Sequence, residues 1–286
     1  MRQAGLMLGA GTAVKPLGES DRDFALGLCA ADPDMHVFVA ARILEGGLSD
    51  GRAATLGYDR GRRSALCWSA ANVVPVGGDR KAMVALADAV CGRRRFASSL
   101  FGPSELVQAM WAHLEPAWGP AREVREVQPV LTMRELPSHT GHRLDPEVRL
   151  ATEDEVSIVM PAAEAMFTEE IGYPPYRGSG STYRAGVAAL IRRGHTLVRV
   201  EEGRVVFKAD FGSVALGAAQ VQGVWVHPEL RGRGLAVPAM ASVVEHALKH
   251  VARSVTLYVN DYNTAALATY RRLGMVQSGV FSTILL

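Results

Sequence analysis

Hydrophobic positions change period repeatedly along the chain, dividing it into short alternating strands and 3.6-residue helices. Residues 14–35 read as a strand end followed by a helix, with Ser20 as its cap and Phe24, Leu26 and Leu28 as apolar positions. Residues 54–76 read as a hairpin turning at Tyr58-Asp59-Arg60-Gly61. A helix over 79–92, a short strand over 95–102 and a helix over 103–119, opened by Pro103 and Ser104, complete the first half. The order then recurs. Residues 148–152 read as a strand, 153–172 as a helix interrupted by Pro161, and 181–194 as a second helix. A hairpin over 196–216 turns at Glu202-Gly203, and 217–226 continues its sheet. An amphipathic helix follows over 235–250, with Leu235, Met240, Val243, Val244, Ala247 and Leu248 at core spacing. A buried strand at 254–259, a helix at 263–274 and a terminal strand from Met275 end the chain. Strand, helix, hairpin, helix and strand appear in both halves, which suggests a diverged internal duplication.

At 286 residues the chain is longer than one usual domain. The stretch 137–146, PSHTGHRLDP, has the composition of a linker, so the expected division is 1–136, a linker at 137–146, and 147–286. A hydrophobic content of 48% supplies cores, and a net charge of +2 argues against a nucleic-acid or anionic-membrane footprint. No apolar run is long enough to span a bilayer, and the leading twenty residues have too short an apolar core for a signal peptide. Three unevenly spaced cysteines, Cys29, Cys67 and Cys91, fit neither a disulfide framework nor a zinc site. A reducing, cytoplasmic setting is therefore expected.

The chemistry concentrates in Val224-Trp225-Val226-His227-Pro228-Glu229-Leu230-Arg231-Gly232-Arg233-Gly234-Leu235-Ala236. A β-run ends, a glycine turn follows, and an apolar helix starts at once, leaving backbone N–H groups at the positive end of a helix dipole. Such a turn cradles phosphate. Gly232 and Gly234 let a diphosphate approach the backbone, and Arg231 and Arg233 offer charge-assisted contacts. The dinucleotide fingerprint fails because Val237 replaces its third glycine, and no Gly-Lys-Ser/Thr phosphate loop is present.

The pattern Arg231, Gly234, Ala236 is similar to the Arg-x-x-Gly-x-Ala signature of the GNAT superfamily of acyl-CoA-dependent N-acyltransferases. A second block, Asn263, Ala266, Tyr270, Gly274 and Met275, resembles the following part of the same superfamily, with Met275 in place of the usual Phe. Physically, Asn263 is an N-cap, Ala266 and Tyr270 share a helix face, and Gly274 suits a left-handed C-cap. The resemblance covers about residues 147 to 286 and implies a mixed α/β (α+β) GNAT fold. Its central mixed sheet has splayed parallel strands, here ending at Val226 and Val259. It further implies acetyl-CoA as co-substrate, lying along Val224, Trp225 and Val226 and over Gly232 to Ala236, with the Val226 N–H facing the thioester oxygen. The reaction implied is direct transfer of an acyl group to a primary amine, on a small molecule or a peptide, in a ternary complex.

Tyr270 is the candidate general acid for the departing thiolate. Its alternative is a core tyrosine. Glu169 and Glu170, read in a loop from Phe167 to Pro175, could take the amine proton through a water, or be solvated surface carboxylates. His246 and His250, one helical turn apart, lack a third metal ligand, so no metal is expected; His139 and His142 are no more persuasive. Cys67 and Trp225 read as core. Pro238 stands one residue deep for a helix start. In the first half the corresponding place holds Gly77-Gly78-Asp79-Arg80-Lys81, where Asp79 would repel a diphosphate. The chain thus looks like a tandem GNAT protein with a degenerate amino-terminal half. Two other functions stay open: a non-catalytic acyl-CoA sensor, and a protein acetyltransferase acting on an amino terminus or a lysine. A homodimer is a further arrangement left open.

Overall fold

The computed structural model describes residues 14–49, 54–61 and 64–286. Most of the leading stretch read as lacking an export signal therefore lies outside the described residues. The chain forms two compact units, one running to Gln128 and taking back Val280–Leu286, the other spanning Pro129–Gly279.

The first unit contains β1 (Val14–Pro16), α1 (Arg22–Ala30), α2 (Pro33–Gly46), β2 (Ala54–Tyr58), β3 (Ala65–Ser69), β4 (Asn72–Gly77), α3 (Arg80–Val90), β5 (Ser99–Pro103) and α4 (Ser104–Trp118). Strands β1 to β4 are antiparallel neighbours, and β5 runs parallel to β4. Residues 54–76 form three strands instead of one hairpin, because a second turn at Ala70-Ala71 reverses the chain, Ala70 N donating to Asn72 O at 3.1 Å. Ser20 is not the cap of α1. That position belongs to Asp21, after a 3₁₀ turn over Glu19–Asp21, and the buried residues of α1 are Ala25 and Cys29, with Phe24, Leu26 and Leu28 half-buried. Helix α2, unassigned from sequence, is capped by the Asp32 side chain on Met35 N and carries Pro33 at its first position. The core joins Met83, Leu86 and Val90 of α3 to Val107, Met110 and Leu114 of α4.

The second unit contains β7 (Arg149–Leu150), α5 (Val156–Ile171), α6 (Ser181–Arg192), β8 (Thr196–Glu201), β9 (Arg204–Ala215), β10 (Ala218–Val226), α7 (Ala236–His250), β11 (Ser254–Tyr258) and α8 (Thr264–Arg272). Strand β6 (Glu123–Met133), also unassigned from sequence, gives Val130 to Met133 to this unit as the antiparallel neighbour of β11. Strand β12 (Val276–Leu285) pairs through Phe281–Leu285 with β5 of the first unit. The sheet order in the second unit is β7-β8-β9-β10-β11-β6, antiparallel throughout except for β10 and β11, which are parallel. This is the expected mixed sheet.

The β8–β9 hairpin turns where expected, with Glu202 at φ 50° and Gly203 at φ 73°, the two positive angles of a type I′ turn. Helix α5 is not interrupted at Pro161; it runs continuously from Val156 to Ile171. Along β9, Phe207, Ala209 and Phe211 pack with Met240, Val243, Val244 and Ala247 of α7. Val159, Met160 and Ala163 of α5 join Val187 and Ile191 of α6 in a second cluster that includes Val198, Val205 and Trp225. By strand alternation, Lys208 and Asp210 face α5 and α6.

Residues 137–146 are fastened to α7. Ser138 donates through N and Oγ to Glu245 at 3.1 and 2.7 Å, and Asp145 N donates to Ser242 Oγ at 2.8 Å.

Candidate active site

The site is organised by the parting of two parallel strands. Strand β10 pairs with β11 only at Ala218–Ser254, Ala219–Val255 and Gln220–Thr256, and beyond Gln220 the pairing stops. Two irregularities in the β9–β10 ladder, after Gln220 and between Gln222 and Trp225, bend β10 here, with Gly223 at φ 59°. The rest of β10 keeps β9 as its neighbour, Trp225 opposite Lys208 and Val226 opposite Phe207. His227 N donates to Val206 O at 2.9 Å, so alternation turns the N–H of Val226 toward the open edge.

Beyond Val226 come a 3₁₀ turn at Pro228–Leu230 and then the glycine turn. Gly232 lies at φ 73° and Gly234 at φ 82°, with open space where a Cβ would stand on either. Helix α7 starts at Ala236 without a side-chain cap on Leu235. Ala239 N donates to Leu235 O at 3.2 Å, closing the first turn of α7, whose earlier N–H groups have no partner within the helix. Pro238 falls within this unpaired first turn, where a missing N–H costs little.

The two arginines differ. Arg233 is exposed, with no ion-pair partner among the described residues. The Arg231 guanidinium is already engaged: Nε donates to Val226 O at 2.9 Å, and Nη2 donates to both Glu169 oxygens at 3.1 and 2.8 Å. Trp225 Nε1 also donates to Glu169, at 3.3 Å, and Trp225 itself is buried in the α5–α6 cluster. Glu169 and Glu170 do not lie in a loop. They occupy the last turn of α5, which ends at Gly172 in the left-handed conformation, Gly172 N donating to Thr168 O.

The Asn263 block follows its sequence reading. Asn263 accepts from Ala266 N at 3.1 Å as N-cap of α8. Gly274 at φ 87° ends the helix, Met275 N donating back to Tyr270 O at 3.1 Å. Tyr270 is 6% exposed, in the core with Leu267 and Met275. Burial, with the charge of Glu170 as a second cause, pushes its phenol well above the usual tyrosine range, so it stays protonated at neutral pH.

Sequence reasoning missed a second feature in the same unit. A cavity of about 580 Å³ is walled by Phe167, Tyr176 and Tyr183 and floored by Lys208, Asp210 and Gln222. The one available signal was the pair of charges in the apolar run VVFKADF.

His246 stacks on Phe211 at 6.3 Å and lies 5.0 Å from His250. No cluster of three metal-binding side chains occurs among the described residues, and no helix among them is long and apolar enough to cross a membrane. In the first unit, Gly77 and Gly78 have positive φ, but the Asp79 side chain caps α3 by accepting from Ala82 N at 3.0 Å. That carboxylate fills the place an anion would take.

A mixed sheet with parting parallel strands, followed by a glycine turn into a helix, is the architecture of GNAT acyltransferases. Residues 164–275 match the acetyltransferase (GNAT) family. Residues 53–159 match a domain of unknown function, DUF4081. An uncharacterized N-acetyltransferase of Methanocaldococcus jannaschii is 34% identical over 62 residues, which is 22% of this chain and 27% of the relative's length. Among solved structures, a GCN5-related N-acetyltransferase from Sphaerobacter thermophilus is similar with a TM-score of 0.62 at 17% identity, covering 94% of this chain and 93% of that one. A tandem GNAT protein from the clavulanic acid biosynthesis pathway has a TM-score of 0.54 at 16% identity, covering 95% and 98%. An acetyltransferase of the GNAT family from Colwellia psychrerythraea has a TM-score of 0.56 at 11% identity, covering 96% and 99%.

Proposed function

We propose that the chain is an acetyl-CoA-dependent N-acetyltransferase that passes an acyl group to a primary amine by direct attack in a ternary complex. The acceptor is an amine-bearing small molecule or peptide. The observation that carries this reading is the parting of β10 from β11 after Gln220, with the glycine turn following the end of β10. The residues fit the ligand: the free edge of β10 can pair with an amide-bearing arm, and the turn has room for a diphosphate where side chains are missing.

In this reading Val224 and Val226 hold the pantetheine arm through the β10 edge. Gly232 to Ala236, with Arg233, hold the diphosphate, and Asn263 shapes the start of α8 beside it. Acetyl-CoA supplies an activated acyl group as a thioester. The Val226 N–H donates to its carbonyl oxygen, an interaction that strengthens as negative charge develops there. Tyr270 Oη faces the departing thiolate as its proton donor; burial keeps the phenol protonated and makes it a weaker acid, so it shares its proton with the sulfur through a hydrogen bond. Arg231 and Glu169 hold the Val226 end of β10 against α5 through the 2.9 and 2.8 Å bonds. Glu170 is the carboxylate assigned to take the amine proton, through a water. The ligand-binding half is taken as 147–286, following 137–146. The cytoplasmic setting still rests on the odd cysteine count; Cys29 and Cys67 are buried thiols pushed up to about 12 by burial.

The test is thiol release from acetyl-CoA across amines, amino acids and peptides, beside a CoA titration. Tyr270→Phe is expected to lower kcat by about 10²-fold or more while leaving CoA affinity unchanged. Unchanged turnover at saturating substrates removes Tyr270 from the role. Tight CoA binding with no turnover on any acceptor favours a sensor instead.

A further inference from the structure

Lys208 and Asp210 form a salt bridge that is nearly closed to solvent, 1% and 5% exposed, at the floor of the aromatic-walled cavity. A buried ion pair is costly to desolvate and gives a fold little that apolar residues would not, so its position matters more than its strength. The position is specific. A Cβ on Gly223, at the β10 irregularity one residue before Val224, would stand 3.2 Å from Asp210 Oδ2 and 3.3 Å from Lys208 Nζ. The pair therefore lies, with Met166, against Gly223, the residue that precedes the strand segment assigned to the cofactor.

Its hydrogen bonding is incomplete. Asp210 accepts from Thr196 Oγ1 at 2.8 Å through one oxygen and from Lys208 through the other. Two carboxylate oxygens have about four acceptor sites between them, and an ammonium has three donors. Among the described residues, Asp210 is the hydrogen-bond partner of Lys208. Spare acceptor capacity for a cation and spare N–H donors for an oxygen are thus presented side by side, below Phe167, Tyr176 and Tyr183.

We propose that this pair is the acceptor-recognition element and selects an α-amino carbonyl unit, as in a free amino acid or the first residue of a peptide. Asp210 receives the ammonium, Lys208 donates to the neighbouring carbonyl or carboxylate oxygen, and the aromatic wall receives an apolar side chain. The proposal rests on the acyltransferase reading and names the substrate class of that site. It adds no step to the chemistry: Asp210 and Lys208 orient the nitrogen toward the Val226 edge before its proton is lost.

The test uses matched sets: leucine, leucine amide and isoamylamine; tyrosine, tyrosine amide and tyramine. Acetyl transfer is measured by thiol release with the full chain. Carbonyl-bearing members are expected to exceed the simple amine in kcat/KM by at least about 10-fold in one set or the other. Amide above acid identifies a peptide terminus as the source, and the reverse a free amino acid. The double variant Lys208→Met/Asp210→Asn removes both charges together, avoiding a lone buried charge. It is expected to raise the acceptor KM at least about 10-fold and abolish the preference, with CoA affinity and thermal midpoint near the parent. Equal rates for amine and carbonyl members, or a double variant that keeps the preference, overturn the proposal. CoA affinity, measured by calorimetry on both proteins, separates this failure from failure of the acyltransferase reading itself.

Discussion

Gly234 adopts φ 82° with open space beside it, so a substitution there meets two separate penalties. Alanine adds mainly backbone strain, of order 1 kcal/mol. Glutamate also places a negative charge where the diphosphate is proposed to bind. Gly234→Glu is expected to abolish CoA affinity in a titration, and a near-native Kd means the cradle is misplaced. Arg233→Ala is expected to weaken CoA about 10-fold or more, the scale of a lost charge-assisted hydrogen bond. An unchanged affinity leaves Arg233 without a ligand role. The glycines, Asn263 and Gly274 were legible from sequence because each acts through local backbone geometry. The engagement of Arg231 by Glu169 was not, since 62 residues separate them. Lys208 and Asp210 escaped for a different reason: β9 is buried on both faces from Val205 to Phe211, so alternation does not single out its polar positions.

Helix α7 must hold its first turn at the glycine turn, and Glu245 on its buried side helps fix it. Burial alone would raise this carboxyl. The bonds from Lys249 and from Ser138 Oγ and N outweigh that effect and hold it at about 2. A carboxyl lower in the folded than in the unfolded chain stabilises the fold above the unfolded value of about 4.3. That contribution is lost as pH falls through about 2. Thermal unfolding from pH 6 to pH 2 is therefore expected to show a fall in midpoint that Glu245→Gln reduces. At pH 7 the variant should be less stable by roughly 1–3 kcal/mol. Equal acid sensitivity in both proteins argues against the assignment. At this scale the strongly periodic helices and the Glu202-Gly203 hairpin were readable. Helix α2 was not, because Asp34 and His36 are buried along with its aliphatic positions, blurring any stripe. Strand β6 was hidden by Glu123, Arg125, Glu126 and Pro129 in its run, although Arg125 is buried beside Glu123.

The two units use similar elements for different ends. Each has a strand followed by paired glycines or a glycine turn and then a helix, yet one helix start is closed by Asp79 and the other has no side-chain cap. The sequence showed Asp79 as a charge that would repel a diphosphate; that its side chain also caps α3 appears in the structure. A ligand that binds only the folded chain stabilises it by RT ln(1 + [L]/Kd), about 2.7 kcal/mol at a hundredfold excess over Kd. Acetyl-CoA should accordingly raise the thermal midpoint of the parent chain and leave that of Gly234→Glu unmoved. The most direct measurement is a calorimetric titration of acetyl-CoA into the full chain and into Gly234→Glu. The expected result is saturable one-site binding by the parent and none by the variant; no binding heat from the parent at any temperature tried, or equal affinity for both proteins, contradicts the proposed cradle.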